Sequence, residues 1–221
     1  MSTGDHSSMH QTRDDRPEFR VHMVAAMLGI AIALAMDHMF RPDVPFEWAH
    51  LIAFVAFAIT TIMFTLAMMG VARNDHYWRY LAKHHAWAAY DLFSDISMGL
   101  VLIFMALNLG EVKPLLISNL ALRVIDIAAE VLVVRPAEKD AGRERDTAKA
   151  WAWLVVDGIA IVCLALAWWG THAWSWRILE VSTVFLGFTV VDTLIDLKIN
   201  SRFYFGLNPS EGSASSSRRG H

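Results

Sequence analysis

Six long apolar stretches, separated by polar connections, dominate the pattern of this chain of 221 residues. The stretches cover residues 21–40, 48–71, 86–109, 114–134, 150–169 and 174–197. At a rise of ~1.5 Å per residue, each is long enough for one helix to cross a hydrocarbon core ~30 Å thick. The pattern therefore predicts an all-α, polytopic membrane protein built as a bundle of six transmembrane helices.

The two ends of the chain differ from this pattern. Residues 1–20 mix charges without periodicity, so we expect a disordered N-terminal segment. Residues 206–221 are rich in Ser and Gly and are expected to form a disordered tail. The transmembrane domain then covers residues 21–205. Because 55% of the residues are hydrophobic and only 19% are charged, no separate soluble domain is predicted.

Lys and Arg residues are distributed unevenly over the connections. Fifteen of the 19 fall in the two ends or in the longer connections at residues 72–85 and 135–149. Three others, Arg41, Lys113 and Arg177, fall in the short connections on the opposite side. Because positively charged segments stay in the cytoplasm, the distribution predicts that both termini are cytoplasmic.

Two of the stretches allow a second interpretation. The first ends in Ala33-Leu34-Ala35, which has the form of a signal-peptidase site, but the four acids preceding it favour a retained span. The fourth carries three charges, each costing about 3 kcal/mol at the centre of a membrane helix. Without this span, the five positive charges of residues 135–149 would lie outside the cell, so the charge distribution favours a crossing.

Ionisable residues inside the stretches are the candidate functional residues. They are Asp91 and Asp95 in the third stretch, Arg123, Asp126 and Glu130 in the fourth, Asp157 in the fifth, and Asp192 and Asp196 in the sixth. Spacings of three and four residues place each set on one helix face. Four helices can therefore direct seven carboxyl groups and one guanidinium into a common volume in the cytoplasmic half of the bundle.

The energetics of these charges restrict where they can lie. Eight charges facing lipid at ~3 kcal/mol each would cost roughly 24 kcal/mol, which exceeds the stability of a typical fold. We therefore expect them to face inward, with Arg123 as the sole buried counter-charge. Seven carboxylates cannot all be ionised around one guanidinium in a dry cavity. Some of them must be protonated, hydrated or neutralised by a bound cation.

Carboxyl groups are ligands of hard cations and carriers of protons within membranes. The sequence therefore predicts a small integral membrane transporter or channel that moves a cation, a proton or a proton-coupled solute through a carboxylate-lined cavity. The expected binding residues are Arg123 and the seven carboxylic acids named above.

Two other classes of function remain open. The acids could hold Mg²⁺ against a lipid diphosphate, or act as general acid and base on an isoprenoid, in an intramembrane enzyme. Such an anionic substrate normally needs several basic partners, and only Lys83, Arg135 and Lys198 could join Arg123 from the rim. The small size of the chain is also typical of a non-catalytic subunit of a larger membrane complex.

Cofactors are not determined by the sequence. Histidines at matched depths, His38, His50 and His172 on one side and His22, His84 and His85 on the other, could ligate haem. The segment 36–39 offers Met and His side chains that suit copper. All six histidines lie at the ends of stretches, where His is a common interface residue, so the cofactor stays unknown.

The expected partner is the lipid bilayer, in the inner (plasma) membrane of a bacterium. A net charge of −3 provides no basic excess to neutralise phosphates, so nucleic acid is not an expected partner. A homo-oligomer or a membrane complex remains open.

Overall fold

The computed structural model describes residues 15–41, 47–72, 74–140 and 147–205. Within these ranges every regular element is helical, as the sequence predicts. The helices are α1 (Asp15–Met39), α2 (Trp48–Ala72), α3 (Asp75–Lys83), α4 (His85–Leu107), α5 (Val112–Ala129), a π-helical segment (Glu130–Val134), α6 (Arg135–Asp140), α7 (Thr147–Ala173) and α8 (Ile178–Phe205).

Five of the described helices are long and apolar enough to cross a membrane. The candidate spans are Phe19–Met39, Trp48–Ala72, His85–Leu107, Leu154–Ala173 and Ile178–Ile199. Large apolar side chains such as Phe93, Val162 and Leu194 are exposed on the outside of the bundle. An outer surface of this kind is typical of a protein whose solvent is lipid. The described part of the chain is therefore all-helical and typical of a membrane protein.

The expected span at residues 114–134 falls on α5 and the π-helical segment. It is not among the five candidate spans, and α5 carries Lys113, Arg123 and Asp126 within 18 residues. The helix nevertheless continues beyond α5 without a break in backbone hydrogen bonding. The Arg135 N–H donates to the Glu130 carbonyl, five residues back, which is the pattern of a π-turn. Residues 112–140 thus form one continuous helix with a π-turn in its interior.

The core is formed where small residues allow helices to approach. The most extensive contact joins α2 to α8, and the next joins α1 to α4. Fully buried alanines lie on α1, at positions 31 and 35, and on α2, at positions 53 and 56. Small residues at such contacts let helix backbones pack closely within a membrane. Larger side chains, including Phe57, Leu102 and Phe185, fill the space between them.

Gly99 marks the closest approach of α4 to α1. A Cβ atom at this position would lie 2.5 Å from Cε and 3.2 Å from Cβ of Met27. Only glycine therefore leaves room for the Met27 side chain without a shift. This contact lies one helical turn beyond Asp95 and two turns beyond Asp91.

A second, smaller core lies where α3 packs against α6 and the π-helical segment. Its buried members are Tyr77, Tyr80, Leu81, Val133 and Ala137. The Asn74 side chain accepts a hydrogen bond from the Tyr77 N–H and caps α3. An exposed ion pair between Lys83 and Asp140, at 3.5 Å, joins the same two helices. This layer, which we call the α3 platform, adjoins the first turns of α4.

The boundaries of the bundle differ from those expected at both ends. Helix α1 begins at Asp15, so residues 15–20, expected to be disordered, are helical. Helix α8 extends to Phe205. The remainder of the expected N-terminal segment and the expected tail, residues 1–14 and 206–221, lie outside the described residues.

Candidate functional site

Arg123 joins three helices through ion pairs within the bundle. From α5 its Nη1 donates to Oδ1 of Asp157 on α7 at 3.0 Å, and its Nη2 donates to Oδ2 of Asp192 on α8 at 2.5 Å. The guanidinium carbon lies 4.8 Å from the centre of the Phe188 ring, which adds a cation–π contact. The planar fork of arginine suits this task, because it can bond two carboxylates in different directions.

Two further acids of the same helix lie near these ion pairs. Asp126 interacts electrostatically with Arg123, Asp157 and Asp192. Glu130 interacts with Asp126 and Asp157, and it also pairs with Arg135 at 3.8 Å. We call Arg123, Asp126, Asp157 and Asp192 the Arg123 group. The structure thus brings together four of the expected site residues, with Glu130 at the edge.

The Arg123 group has an excess of acids over bases. One guanidinium faces three aspartates, so full ionisation would leave a formal charge of −2 within the bundle. In a low-dielectric environment such an excess is relieved by a proton or by a cation. Oδ1 of Asp192 is buried and has no hydrogen-bond partner within the described part of the chain. This oxygen can therefore accept a proton or a cation while Oδ2 keeps its hydrogen bond from Arg123.

Asp91 and Asp95 form a separate group around a different arginine. Arg20, on the first turns of α1, donates to Asp91 through Nη1 and to Asp95 through Nε. The Tyr77 hydroxyl of α3 donates to the other oxygen of Asp91. The Arg20 guanidinium also lies 5.4 Å from the centre of the Trp78 ring. We call Arg20, Tyr77, Asp91 and Asp95 the Arg20 group.

The expectation that Arg123 is the sole buried counter-charge is wrong. Arg20 is only 6% exposed and neutralises part of the charge on Asp91 and Asp95. The contacts of the described residues therefore divide the expected common volume into two groups, each with its own arginine. Asp196 is buried one turn beyond Asp192.

The burial of Arg20 follows from the geometry of α1. The buried residues of this helix, Val24, Leu28, Ala31 and Ala35, recur at spacings of three and four. Arg20 precedes Val24 by four residues and so lies on the same face. The sequence of a uniformly apolar helix does not show which of its faces is buried. From the sequence, Arg20 is therefore interpreted as one of the positive charges that flank the first span on the cytoplasmic side. The spacing from Arg20 to Ala35 becomes informative only once the buried face is known.

Tyr77 lies outside the candidate spans and strengthens the Arg20 group. Burial, together with the neighbouring Asp91 carboxylate, raises the pKa of Tyr77 above its ordinary value of about 10. The phenol therefore keeps its proton at physiological pH and remains a hydrogen-bond donor to Asp91.

The histidines considered as metal or haem ligands lie in several separate places. The rings of His38 and His50 are 6.0 Å apart in an edge-on arrangement, whereas His172 lies against Trp168 and His84 against Tyr80. Among the described residues, no three His, Cys, Asp or Glu side chains are grouped as a metal site would require.

Comparison of the chain with protein-family models, with curated proteins and with solved structures found no significant match.

Proposed function

We propose that this chain is a small membrane transporter or channel that moves a proton, a cation or a proton-coupled solute, and that the Arg123 group is its binding site. The observation that carries the proposal is the excess of carboxyl groups around one guanidinium at a junction of three helices. Charged groups within a bilayer are costly, and they commonly mark ion pathways and proton relays. The Asp192 oxygen without a partner provides a place for the transported charge.

The proposal includes a six-span topology with both termini in the cytoplasm of a bacterium, in the inner membrane. The continuous helix over residues 112–140 supports a sixth crossing, because 29 residues at ~1.5 Å each extend about 43 Å. Its charged residues Arg123 and Asp126 interact with acids of neighbouring helices, so insertion does not expose them to lipid. Glu130 and Asp196 then extend the acidic lining of the cytoplasmic half, whereas Asp91 and Asp95 form a separate acidic pair bonded to Arg20.

The ion pairs at the rim weigh against an enzyme acting on an anionic lipid. Of the bases expected to reach such a substrate, Lys83 pairs with Asp140 and Arg135 pairs with Glu130. Arg123 is already engaged by two aspartates. A diphosphate would have to compete with carboxylates for each of these partners. Acceptance of a proton or a small cation requires no such exchange.

Transport by the purified protein in proteoliposomes tests the proposal. A membrane potential drives uptake, which is followed with a pH-sensitive dye for protons and, in parallel samples, with a sodium-sensitive dye. We expect Asp126→Asn and Asp157→Asn to reduce flux at least tenfold, because each removes one negative charge from the Arg123 group. Activity of the isolated chain would also exclude a purely non-catalytic role as the subunit of a complex.

Asp37→Asn is the matched control. Asp37 lies on α1 and forms an exposed ion pair with Arg41 at 3.2 Å, outside both arginine groups. We expect wild-type flux from this variant. Flux that is unchanged in both Asp126→Asn and Asp157→Asn, with all proteins correctly folded, would contradict the proposal.

A further inference from the structure

Helix α8 carries two buried hydroxyl groups that differ from five other hydroxyls of the described helices. Thr60, Thr61, Thr65, Ser118 and Thr183 each donate to the carbonyl four residues back on their own helix. Ser182 and Thr189 are 0% and 3% exposed, and their hydroxyl oxygens have no hydrogen-bond partner among the described residues. Because buried hydroxyls almost always have partners, a polar species such as water is expected beside each of these two.

The two hydroxyls lie on one line along α8 that leads to the Arg123 group. Ser182 and Thr189 are seven residues apart, which places them on the same face with about 10 Å between them along the axis. Asp192 follows Thr189 by three residues, so their side chains are neighbours. The unpartnered oxygen of Asp192 is thus within one helical turn of the unpartnered hydroxyl of Thr189.

We propose that the transported species is the proton, that Asp192 carries it, and that Ser182 and Thr189 line its route from the outer side. This inference rests on the proposed function and names its substrate. A hydronium ion on the route transfers its proton to Oδ1 of Asp192 and leaves a water molecule. Oδ2 keeps its hydrogen bond from Arg123, while the ion pair loses its charge on the aspartate side. Release of the proton from Oδ1 to water on the inner side restores the carboxylate.

The surroundings of Asp192 favour a proton over a metal ion. The guanidinium of Arg123 lies 2.5 Å from Oδ2, so a metal ion at the same carboxylate would meet a fixed positive charge. The other charged groups of the site are Asp126 on α5, Glu130 at the end of α5, Asp157 on α7 and Asp196 on α8. Helix α2, which packs most extensively on α8, contains no Asp, Glu, Lys or Arg. Hydroxyls two turns apart cannot form one coordination sphere.

Phe185 interrupts the route between the two hydroxyls. It lies three residues after Ser182 and four before Thr189, on the same face of α8, and is only 3% exposed. An apolar ring at this point excludes water, as hydrophobic constrictions do in channels. We therefore assign Phe185 as the barrier that separates the outer end of the route from Asp192. A smaller side chain should increase access, whereas loss of the Thr189 hydroxyl should decrease it.

Infrared spectroscopy of the full-length protein in lipid nanodiscs tests the route without requiring transport. The carboxyl band of protonated Asp192 is identified by its absence in Asp192→Asn, and its exchange rate is measured after transfer into D₂O. We expect Thr189→Val to slow this exchange at least tenfold, and Thr189→Ser to restore it. Phe185→Leu should accelerate it at least threefold. Thr61→Val is the matched control, because Thr61 is buried but its hydroxyl bonds to the Phe57 carbonyl at 2.9 Å.

Three results would overturn the inference: no carboxyl band that is lost in Asp192→Asn, unchanged exchange in Thr189→Val, or an equal slowing in Thr61→Val. Flux carried by Na⁺ and insensitive to pH would also overturn it. These outcomes differ from failure of the proposed function, in which wild-type proteoliposomes carry no flux although Asp192 exchanges its proton through Thr189.

Discussion

The Arg20 group and the Arg123 group differ in how many of their carboxylate oxygens have hydrogen-bond partners. Arg20 bonds two aspartates on the same helix, and Tyr77 bonds one of them again. Arg123 bonds two aspartates on different helices, with a third acid nearby and one carboxylate oxygen unpartnered among the described residues. A group whose polar atoms are all bonded has no place for a further ligand. A group with an unpartnered carboxylate oxygen can bind a proton or a cation. We therefore expect the Arg20 group to hold helices together and the Arg123 group to carry the activity.

Loss of Arg20 should destabilise the bundle strongly. Arg20→Ala leaves Asp91 and Asp95 buried without their counter-charge, which costs about 3–5 kcal/mol of unfolding free energy. Replacing the whole group, as Arg20→Met with Asp91→Asn and Asp95→Asn, should recover most of this loss. Thermal unfolding in detergent measures both effects. Arg41→Ala, at an exposed ion pair, should change stability by about 1 kcal/mol or less. Equal effects of the two single variants would show that Arg20 is not a buried partner.

Tyr77 gives the protein a dependence on alkaline pH whose sign can be derived. Its pKa is raised in the folded state by burial and by Asp91, so the unfolded chain loses the phenolic proton first. The contribution of Tyr77 to stability is therefore complete below about pH 10 and is lost as the pH rises further. We expect the unfolding midpoint to fall less steeply between about pH 9 and 11 in Tyr77→Phe than in the wild type. Identical slopes of the unfolding midpoint in Tyr77→Phe and the wild type would contradict this assignment.

At the level of helices, close packing and charge placement depend on each other. The contact between Gly99 and Met27 sets the distance between α1 and α4. The same distance determines whether Arg20 can reach Asp91 and Asp95. Packing one to two turns away therefore contributes to the placement of the ion pairs of the Arg20 group.

Substitution of Gly99 tests this dependence. Gly99→Ala places a Cβ against Met27 and should lower the unfolding free energy by about 1–3 kcal/mol. Met27→Ala should remove the obstacle, so that the double variant is more stable than the sum of the two single effects predicts. Gly29→Ala is the control, since a Cβ at Gly29 meets nothing within 4 Å. Additive effects of Gly99→Ala and Met27→Ala would indicate that the two residues do not interact.

The sequence predicts the helices well because a bilayer admits few alternatives. Apolar stretches of about 20 residues must be helical, since no water is present to satisfy their backbone groups. The sequence does not predict which residues pair with the charged residues. The spacing of Asp91 and Asp95 gives their common face, but the arginine that reaches them depends on the rotation of α1. The unpartnered hydroxyls of Ser182 and Thr189 are likewise recognised only in the structure, because Thr183 of the same helix bonds its own backbone.

For the whole molecule, the proposed topology places the two ends of the helix over residues 112–140 on opposite sides of the membrane. Cys163, the sole cysteine of the chain, is first replaced by Ala. A cysteine at Lys113 should then react with a membrane-impermeant maleimide in intact cells, and one at Lys139 only after permeabilisation. Both positions are exposed in the structure, so burial does not limit labelling. Labelling of both from the same side would exclude a sixth crossing.

The π-turn at Glu130–Val134 changes the phase of the helix that contains it. An uninterrupted α-helix would place Asp126, Glu130, Val133 and Ala137 on one stripe, because they are spaced by four, three and four residues. One additional residue in a turn rotates everything beyond it by about 100°. The upstream part can thus present acids to α7 and α8 while Val133 and Ala137 enter the α3 platform. Deletion of a single residue from the π-turn would align the two halves of the helix on one face, so that one half would lose its contacts. Substitutions confined to one half leave the orientation of the other half unchanged.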